Sequence, residues 1–291
     1  MVCEQRELGS LDIWRAAGPH PSGDAFSPAK LIASTWPDNN PQFSPDGTRI
    51  ACAGGSSGNL EIWVCDAEGH ACNQLTSMAP KQALNPRWSP DGRQLAFDAH
   101  GDIYVVRSDG GSPRVLTTDT SVDILPSWSR DGRWIYFGSD RSGAWQVWKA
   151  PSAGGQAIQV TQHGGVEAFE SFDCQFLYFT KPIGLTWTFG LSSIWKMPTR
   201  GGQETSVVNR TSVGYWGLLN DGLCYLDPFG DLPFSIQYLN FATGQIRKIG
   251  SIDKEPLWNY SSFSVSPDGR WILYTKRPSE ERDLMLVENF R

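Results

Sequence analysis

The groups in this 291-residue chain best suited to chemistry are its histidines and a scatter of carboxylates in short polar stretches. His100 lies in Asp98-Ala99-His100-Gly101-Asp102, while His163 and Glu167 lie in Gln162-His163-Gly164-Gly165-Val166-Glu167. Asp38, Asn39, Asp119 and Asp123 occupy comparable stretches. Imidazole nitrogen combined with carboxylate oxygen is a donor set for Zn²⁺, Mn²⁺ or Ca²⁺. His100, His163 and Glu167 are therefore the metal-ligand candidates. No two histidines share a short-range ligand spacing, and solvated loop residues are the plainer reading of all three. No GxSxG, Walker, HExxH or GxGxxG motif is present, so the chain offers no sequence signature of a nucleophile or a nucleotide site.

Balance of charge and composition narrows the class further. The formal net charge is -6, which argues against a nucleic-acid partner for this chain alone. No run approaches the roughly 18 apolar residues of a membrane-spanning helix, and Met1-Val2-Cys3-Glu4-Gln5-Arg6-Glu7 has no apolar signal core. The expected protein is soluble and monomeric, cytoplasmic as the sequence stands or periplasmic as part of a longer chain. Six cysteines at 3, 52, 65, 72, 174 and 224 show no recurring paired spacing. Cys65 and Cys72 flank a turn and could face each other, but free thiols are the expectation, because a chain of this size needs no staples.

The elements that position these groups come from a repeat. Phe43-Ser44-Pro45-Asp46-Gly47, Trp88-Ser89-Pro90-Asp91-Gly92, Trp128-Ser129-Arg130-Asp131-Gly132 and Ser266-Pro267-Asp268-Gly269 are clear copies. Ser171-Phe172-Asp173-Cys174 and Leu219-Asn220-Asp221-Gly222 read as degenerate ones. The aspartates stand 45, 40, 42, 48 and 47 residues apart, the period of a four-stranded propeller blade. Proline presets φ, aspartate hydrogen-bonds its own backbone and glycine takes the positive-φ position of a hairpin turn. Alternating apolar runs follow each turn, as in Gln94-Leu95-Ala96-Phe97, and third strands such as Glu61-Ile62-Trp63-Val64 come next.

The fold expected is all-β, a six-bladed propeller of four-stranded antiparallel blades forming one domain over 1–291. Complete blades fall at about 40–76, 85–117, 125–161, 168–208 and 214–250, with a composite blade from 262–291 plus 11–35. Joining the ends in one blade leaves no open sheet edge. Both Leu284–Glu288 and Leu11–Trp14 offer a third strand for it. The expectation gives the place to Leu284–Glu288 and leaves Leu11–Trp14 peripheral.

These turns, the Ile-Trp-Val third strands and the Leu-Thr fourth strands resemble the TolB-like propeller family over almost the whole chain. Ile62-Trp63-Val64-Cys65-Asp66, Ser127 through Phe137 and the tail Leu284 through Arg291 resemble the C-terminal propeller of acidobacterial CadC-type winged-helix regulators. That resemblance implies a piece of a larger regulatory protein, one that senses or binds.

In such a fold the Ser-Pro-Asp-Gly turns occupy one face, and ligands are expected at the channel mouth on the other. The turns themselves, with their hydroxyl and carboxylate, read as structural. Trp63, Trp148 and Trp195, like Trp88 and Trp128, recur at equivalent positions and read as core or interblade packing. Site candidates are the residues that break the repeat: His100, Asp123, His163, Glu167 and Glu170. Glu170 stands where the other copies hold Phe43, Trp88 and Trp128, so its carboxyl must find a partner or shift upward in pKa. Trp187, in the apolar insertion at 181–190, and Trp258, entering the last blade, join the insertion at 227–234 to complete an off-centre mouth. His163 and Glu167, read as loop residues, are expected to be removable at little cost in stability. The mouth would take a small molecule, peptide or protein. The alternative is a metal-dependent hydrolase or lyase acting there on an ester, lactone, phosphoester or uronate, with Ca²⁺, Mn²⁺ or Zn²⁺ in the channel.

Overall fold

The computed structural model describes residues 2–5, 11–23, 26–183, 190–228, 232–253, 262–276 and 283–286. Six four-stranded antiparallel sheets form the blades of a propeller, each a simple meander from an inner first strand to an outer fourth strand. Blade one runs Asp38–Phe43, Arg49–Gly54, Glu61–Asp66 and Asn73–Gln74. Blade two runs Ala83–Trp88, Gln94–Ala99, Asp102–Arg107 and Arg114–Val115. Blade three runs Asp123–Trp128, Trp134–Ser139, Gln146–Pro151 and Ile158–Gln159. Blade four runs Ala168–Glu170, Phe176–Pro182, Ser192–Pro198 and Thr205–Thr211, and blade five Trp216–Leu218, Gly222–Asp227, Phe234–Asn240 and Ile246–Ile252. No described helix is long and apolar enough to cross a membrane.

Blade six is the composite blade, but its third strand is not the one expected. Phe263–Val265 and Trp271–Lys276 pair onward to Asp12–Ala17 and then Ala29–Ile32. Asp283–Leu286 instead pairs with Val2–Gln5 in a separate two-stranded sheet. The burial pattern explains the choice: Ile13 and Ala16 are fully buried, and all six residues of Asp12–Ala17 lie in register with Trp271–Lys276. Trp14 thereby stands opposite Tyr274 as Trp195 stands opposite Phe179, and Lys276 and Lys181 stack over the two indoles at 4.6 and 4.3 Å.

Five turns share one hydrogen-bond scheme. In the first, Ser44 Oγ donates to Asp46 Oδ1 and accepts from Arg49 N at 2.9 Å, while Gly47 N donates to Ser44 O at 2.9 Å. Ser89, Ser129, Ser171 and Ser266 repeat it with Asp91, Asp131, Asp173 and Asp268. The hydroxyl and carboxylate are consumed by the turn, as read from the sequence. Leu219–Gly222 departs from it. With no serine to brace the aspartate, Leu219 N closes directly on Gly222 O at 2.8 Å, and Asp221 turns to His20 Nε2 at 3.2 Å.

Cys174 adopts φ 60° where Gly47, Gly92, Gly132 and Gly269 adopt 68–72°. The left-handed conformation costs a side-chain-bearing residue about 1–2 kcal/mol, and glycine returns about 0.4–1 kcal/mol through a freer unfolded chain. Cys174→Gly is therefore expected to raise stability by about 0.5–1 kcal/mol, read from denaturant midpoints at constant slope. A destabilised variant would mean that this turn does not carry the strain its φ implies.

The Leu-Thr endings have a physical reason too. Thr76, Thr117 and Thr161 each accept, at 2.9 Å, the backbone N–H of the residue that begins the buried part of the third strand: Ile62, Ile103 and Val147. The expected free thiols at 65 and 72 are corrected. Cys65 and Cys72 form a disulfide. Asp66 Oδ1 accepts Glu68 N and His70 N at 3.0 and 2.7 Å, which folds the intervening loop back and brings the two sulfurs together.

Candidate functional site

The inner strands of blades one to three carry a bulge, and the bulge determines what faces the channel. Asn40, Asn85 and Leu125 take φ of 52°, 51° and 55°, each is followed by proline, and each ladder shifts register there. Such bulges re-aim the residues that follow. Gln42, Arg87 and Ser127 consequently line the channel, joined by Phe169, Gly217 and Ser264 at the matching positions of the other blades.

Several of these side chains clip one blade to another. Trp88 N donates to Gln42 Oε1 at 2.7 Å, and Phe43 N donates to Ser264 Oγ at 3.2 Å. Trp128 Nε1 donates to Arg87 O at 3.0 Å, and Ser127 Oγ donates to Ala168 O. Trp88 and Trp128 are interblade residues, as their recurrence implied.

All six blades enclose a cavity of about 360 Å³ that opens on the face of the Ser-x-Asp turns. Phe43, Trp88, Trp128, Leu218 and Val265 form its apolar wall, and Glu170 interrupts that wall. The expectation placed recognition at the opposite mouth. This cavity lies at the other end of the channel from that expectation.

Beside the cavity lies a buried ion pair. Arg87 Nη2 of blade two reaches Glu167 Oε1, just before blade four, at 3.1 Å, with side chains only 5% and 1% exposed. Glu167 Oε2 also accepts Gly214 N at 2.8 Å and Trp216 Nε1 at 2.6 Å from the start of blade five. The Arg87 guanidinium lies over the Phe169 ring at 5.2 Å. Burial pulls the arginine pKa down and the Glu167 charge opposes it. Glu167 is thus a buried hub joining three blades rather than a removable loop residue.

Asp98, on the second strand of blade two, is buried against the same bulges. Its Oδ1 accepts Asn85 Nδ2 at 2.8 Å and Leu125 N at 3.1 Å. Burial outweighs these bonds and pushes its carboxyl up to about 7. An acid whose folded pKa lies above its unfolded one keeps its proton in the folded state, so stability falls as pH rises from about 4 to about 7. Asp98→Asn should flatten that decline, seen as a smaller loss of melting temperature between pH 5 and pH 8 than in the parent. Asp38, raised by burial to about 6, contributes equally to both proteins and cancels. Identical pH profiles would contradict the buried, proton-holding state.

Glu170 behaves as its position implied. It is 7% exposed, accepts Arg130 N at 3.3 Å and Tyr136 Oη at 3.5 Å, and burial raises its pKa. The other candidates lie apart from the cavity. Asp123 is fully buried and bound by Arg141 Nη2 at 3.0 and 2.8 Å, and Arg141 also meets Asp119 at 2.8 Å. His100 sits exposed in a tight turn at φ 57°. His163 is 78% exposed, its Nδ1 3.8 Å from Glu204 Oε2, in a peripheral cavity of about 590 Å³ with Lys181 and Trp195. Trp187 and Trp258 lie outside the described residues. Among the described residues no three His, Cys, Asp or Glu side chains are grouped to hold a metal ion.

Arg87, Asp98, Arg130 and Phe172 are site residues that sequence reading passed over. The usable signal was the residue between Ser and Asp in each turn: proline at 45, 90 and 267, but Arg130 and Phe172 in blades three and four.

Six four-stranded blades around a channel with a lined cavity at one end define a six-bladed β-propeller. Residues 77–192 match the family model described as TolB beta propeller domain. A TolB homolog of Chlorobium luteolum is 32% identical over 127 residues, 43% of this chain and 29% of that protein. A protein of Agrobacterium fabrum is 31% identical over 142 residues, 46% and 48% of the two chains. The matches span about half or less of these relatives' lengths. Among solved structures, TolB from Agrobacterium tumefaciens superposes with a TM-score of 0.67 at 17% identity over 92% of this chain and 98% of that one. An oligogalacturonate lyase of Vibrio parahaemolyticus superposes at 0.58, with 14% identity over 94% and 84%. The family model and the two relatives, each matching less than half of this chain, support a likeness to TolB-like β-propellers, and the solved structures support the fold.

Proposed function

We propose that this chain is a binding propeller that recognises a peptide or protein segment in the turn-face cavity, within a larger bacterial regulatory protein. The cavity carries this reading. Its volume of about 360 Å³, aromatic wall and fixed polar groups from several blades suit a recognition pocket. The regulatory setting rests on the likeness of Ile62–Asp66 and Ser127–Phe137 to CadC-type propellers. The Cys65–Cys72 bond favours an oxidising compartment, hence the periplasmic alternative. The rival, a metal-dependent hydrolase or lyase, has a structural neighbour in the lyase and an acid–base group in Asp98, but no described metal-ligand cluster.

Selection of a displayed peptide library on the full chain tests the reading. Peptides that bind the parent should lose most of their affinity for Leu218→Trp, which fills the cavity from its wall. Peptides that bind both proteins equally would place recognition elsewhere.

A further inference from the structure

We propose that the cavity recognises a carboxylate on the segment it binds, and that Arg130 holds it; this deepens the peptide-binding reading and rests on it. Arg130 occupies the turn position that is proline at 45, 90 and 267, so it brings donors to a rim that otherwise has none there. Its guanidinium is held from two sides. Nε donates to Glu170 O at 3.1 Å, and the group stacks on Phe172 at 3.7 Å from the ring centroid. Both neighbours line the cavity with it.

Among the described residues, Nη1 and Nη2 of Arg130 have no hydrogen-bond partner, and the side chain forms no ion pair. The Glu170 carboxylate accepts the Arg130 backbone N–H and the Tyr136 hydroxyl, both at Oε2, and its charge acts on the Arg130 guanidinium without a direct contact. Arg87, Arg141 and Lys181 are each matched to a carboxylate on the protein, whereas the half-buried Arg49, Lys149 and Lys196 rest on aromatic rings as Arg130 does. Arg130 differs from them in lining the cavity with both Nη groups uncommitted among the described contacts, so a ligand's negative charge would add there to the partial compensation that Glu170 provides.

The fork of two fixed N–H edges suits the planar, two-oxygen geometry of a carboxylate. A phosphate dianion would sit close to Glu170, with Arg87 already engaged by Glu167. Trp88, Trp128 and Val265 on the adjoining wall ask for an apolar side chain next to the acid. The ligand class is a peptide with an acidic side chain or a free C-terminus beside an apolar residue.

Two mixed-sequence hexapeptide pools test this on the immobilised full chain, with retained peptide measured by mass spectrometry. One pool contains Asp and Glu and ends in free carboxylates. The other replaces them by Asn and Gln and is amidated. The parent should retain the acidic pool about tenfold more than the neutral one, the size of one charge-assisted hydrogen-bonded contact. Arg130→Gln should retain both alike, and Arg130→Lys should recover part of the preference; melting curves verify that both variants fold. Equal retention by the parent overturns the carboxylate assignment and leaves peptide binding standing. Retention of neither pool overturns both. Release of the acidic pool by millimolar inorganic phosphate but not by acetate overturns the assignment in favour of a phosphate site.

Discussion

Replacing Glu167 by alanine is expected to lower the unfolding free energy by about 3–5 kcal/mol, because it breaks a buried ion pair by removing one partner only. The carboxylate answers three donors at once, from Arg87, Gly214 and Trp216, and all three lose their acceptor together. Arg87, only 5% exposed, loses the carboxylate that offsets its buried charge. Glu167→Gln retains the shape and one acceptor oxygen, so its loss should be smaller. The double change Arg87→Met with Glu167→Leu removes both charges and should recover much of the stability, as apolar replacements of buried pairs often do. Chemical denaturation of the four proteins checks the order. An alanine variant within about 1 kcal/mol of the parent, the range of an exposed pair, would mean that the pair is solvated.

Deleting residues 1–35 should cost the chain its cooperative fold. The deletion removes Asp12–Ala17 and Ala29–Ile32, half of the strands of blade six. It strips the six-residue ladder from Trp271–Lys276 and leaves a flat apolar edge open to pairing with another molecule. Ile13 and Ile32 leave a cluster that includes Phe43, Ile50 and Leu273, so blade one loses packing as well. The link from Asp38 N to Leu11 O also goes. The expected result is aggregation on expression, or a melting transition that is broad and far below that of the parent. A soluble truncated protein with an unchanged midpoint would contradict the shared blade.

The architecture was legible because five of the six blades repeat a turn whose chemistry is local. Serine, aspartate and glycine within four residues fix the hairpin, and the count of hairpins fixes the blades. Glu170 was legible for a related reason: a carboxylate in an aromatic column stands out against its siblings. Glu167 was singled out but misplaced, since its partner Arg87 lies 80 residues away and only the closed ring brings them together. The choice between the terminal strands failed for want of the same information. Leu284–Glu288 and Leu11–Trp14 look alike as strings, and only the burial of Ile13 and Ala16 separates them. Arg130 was hidden by the strength of the repeat. Once a turn is assigned to structure, its middle residue draws no attention, although that residue is free to vary.

The tie from Arg87 to Glu167 also governs how the ring can breathe. A propeller closed through a composite blade parts most easily where its two ends meet, and in this one the meeting point is blade six. The tie acts as a chord across the arc from blade two to blade five, so that arc must move as a unit. Blade six is held to its neighbours by the ion pairs Arg15–Glu68, toward blade one, and Lys276–Asp253, toward the end of blade five, each with one exposed carboxylate. A guest in the cavity would meet a wall tied through buried charge, bearing Arg130, and a wall held by solvent-facing pairs, bearing Ser264 and Gln42. Adjustment to guests of different size is expected on the second wall, with the Arg130 side unchanged.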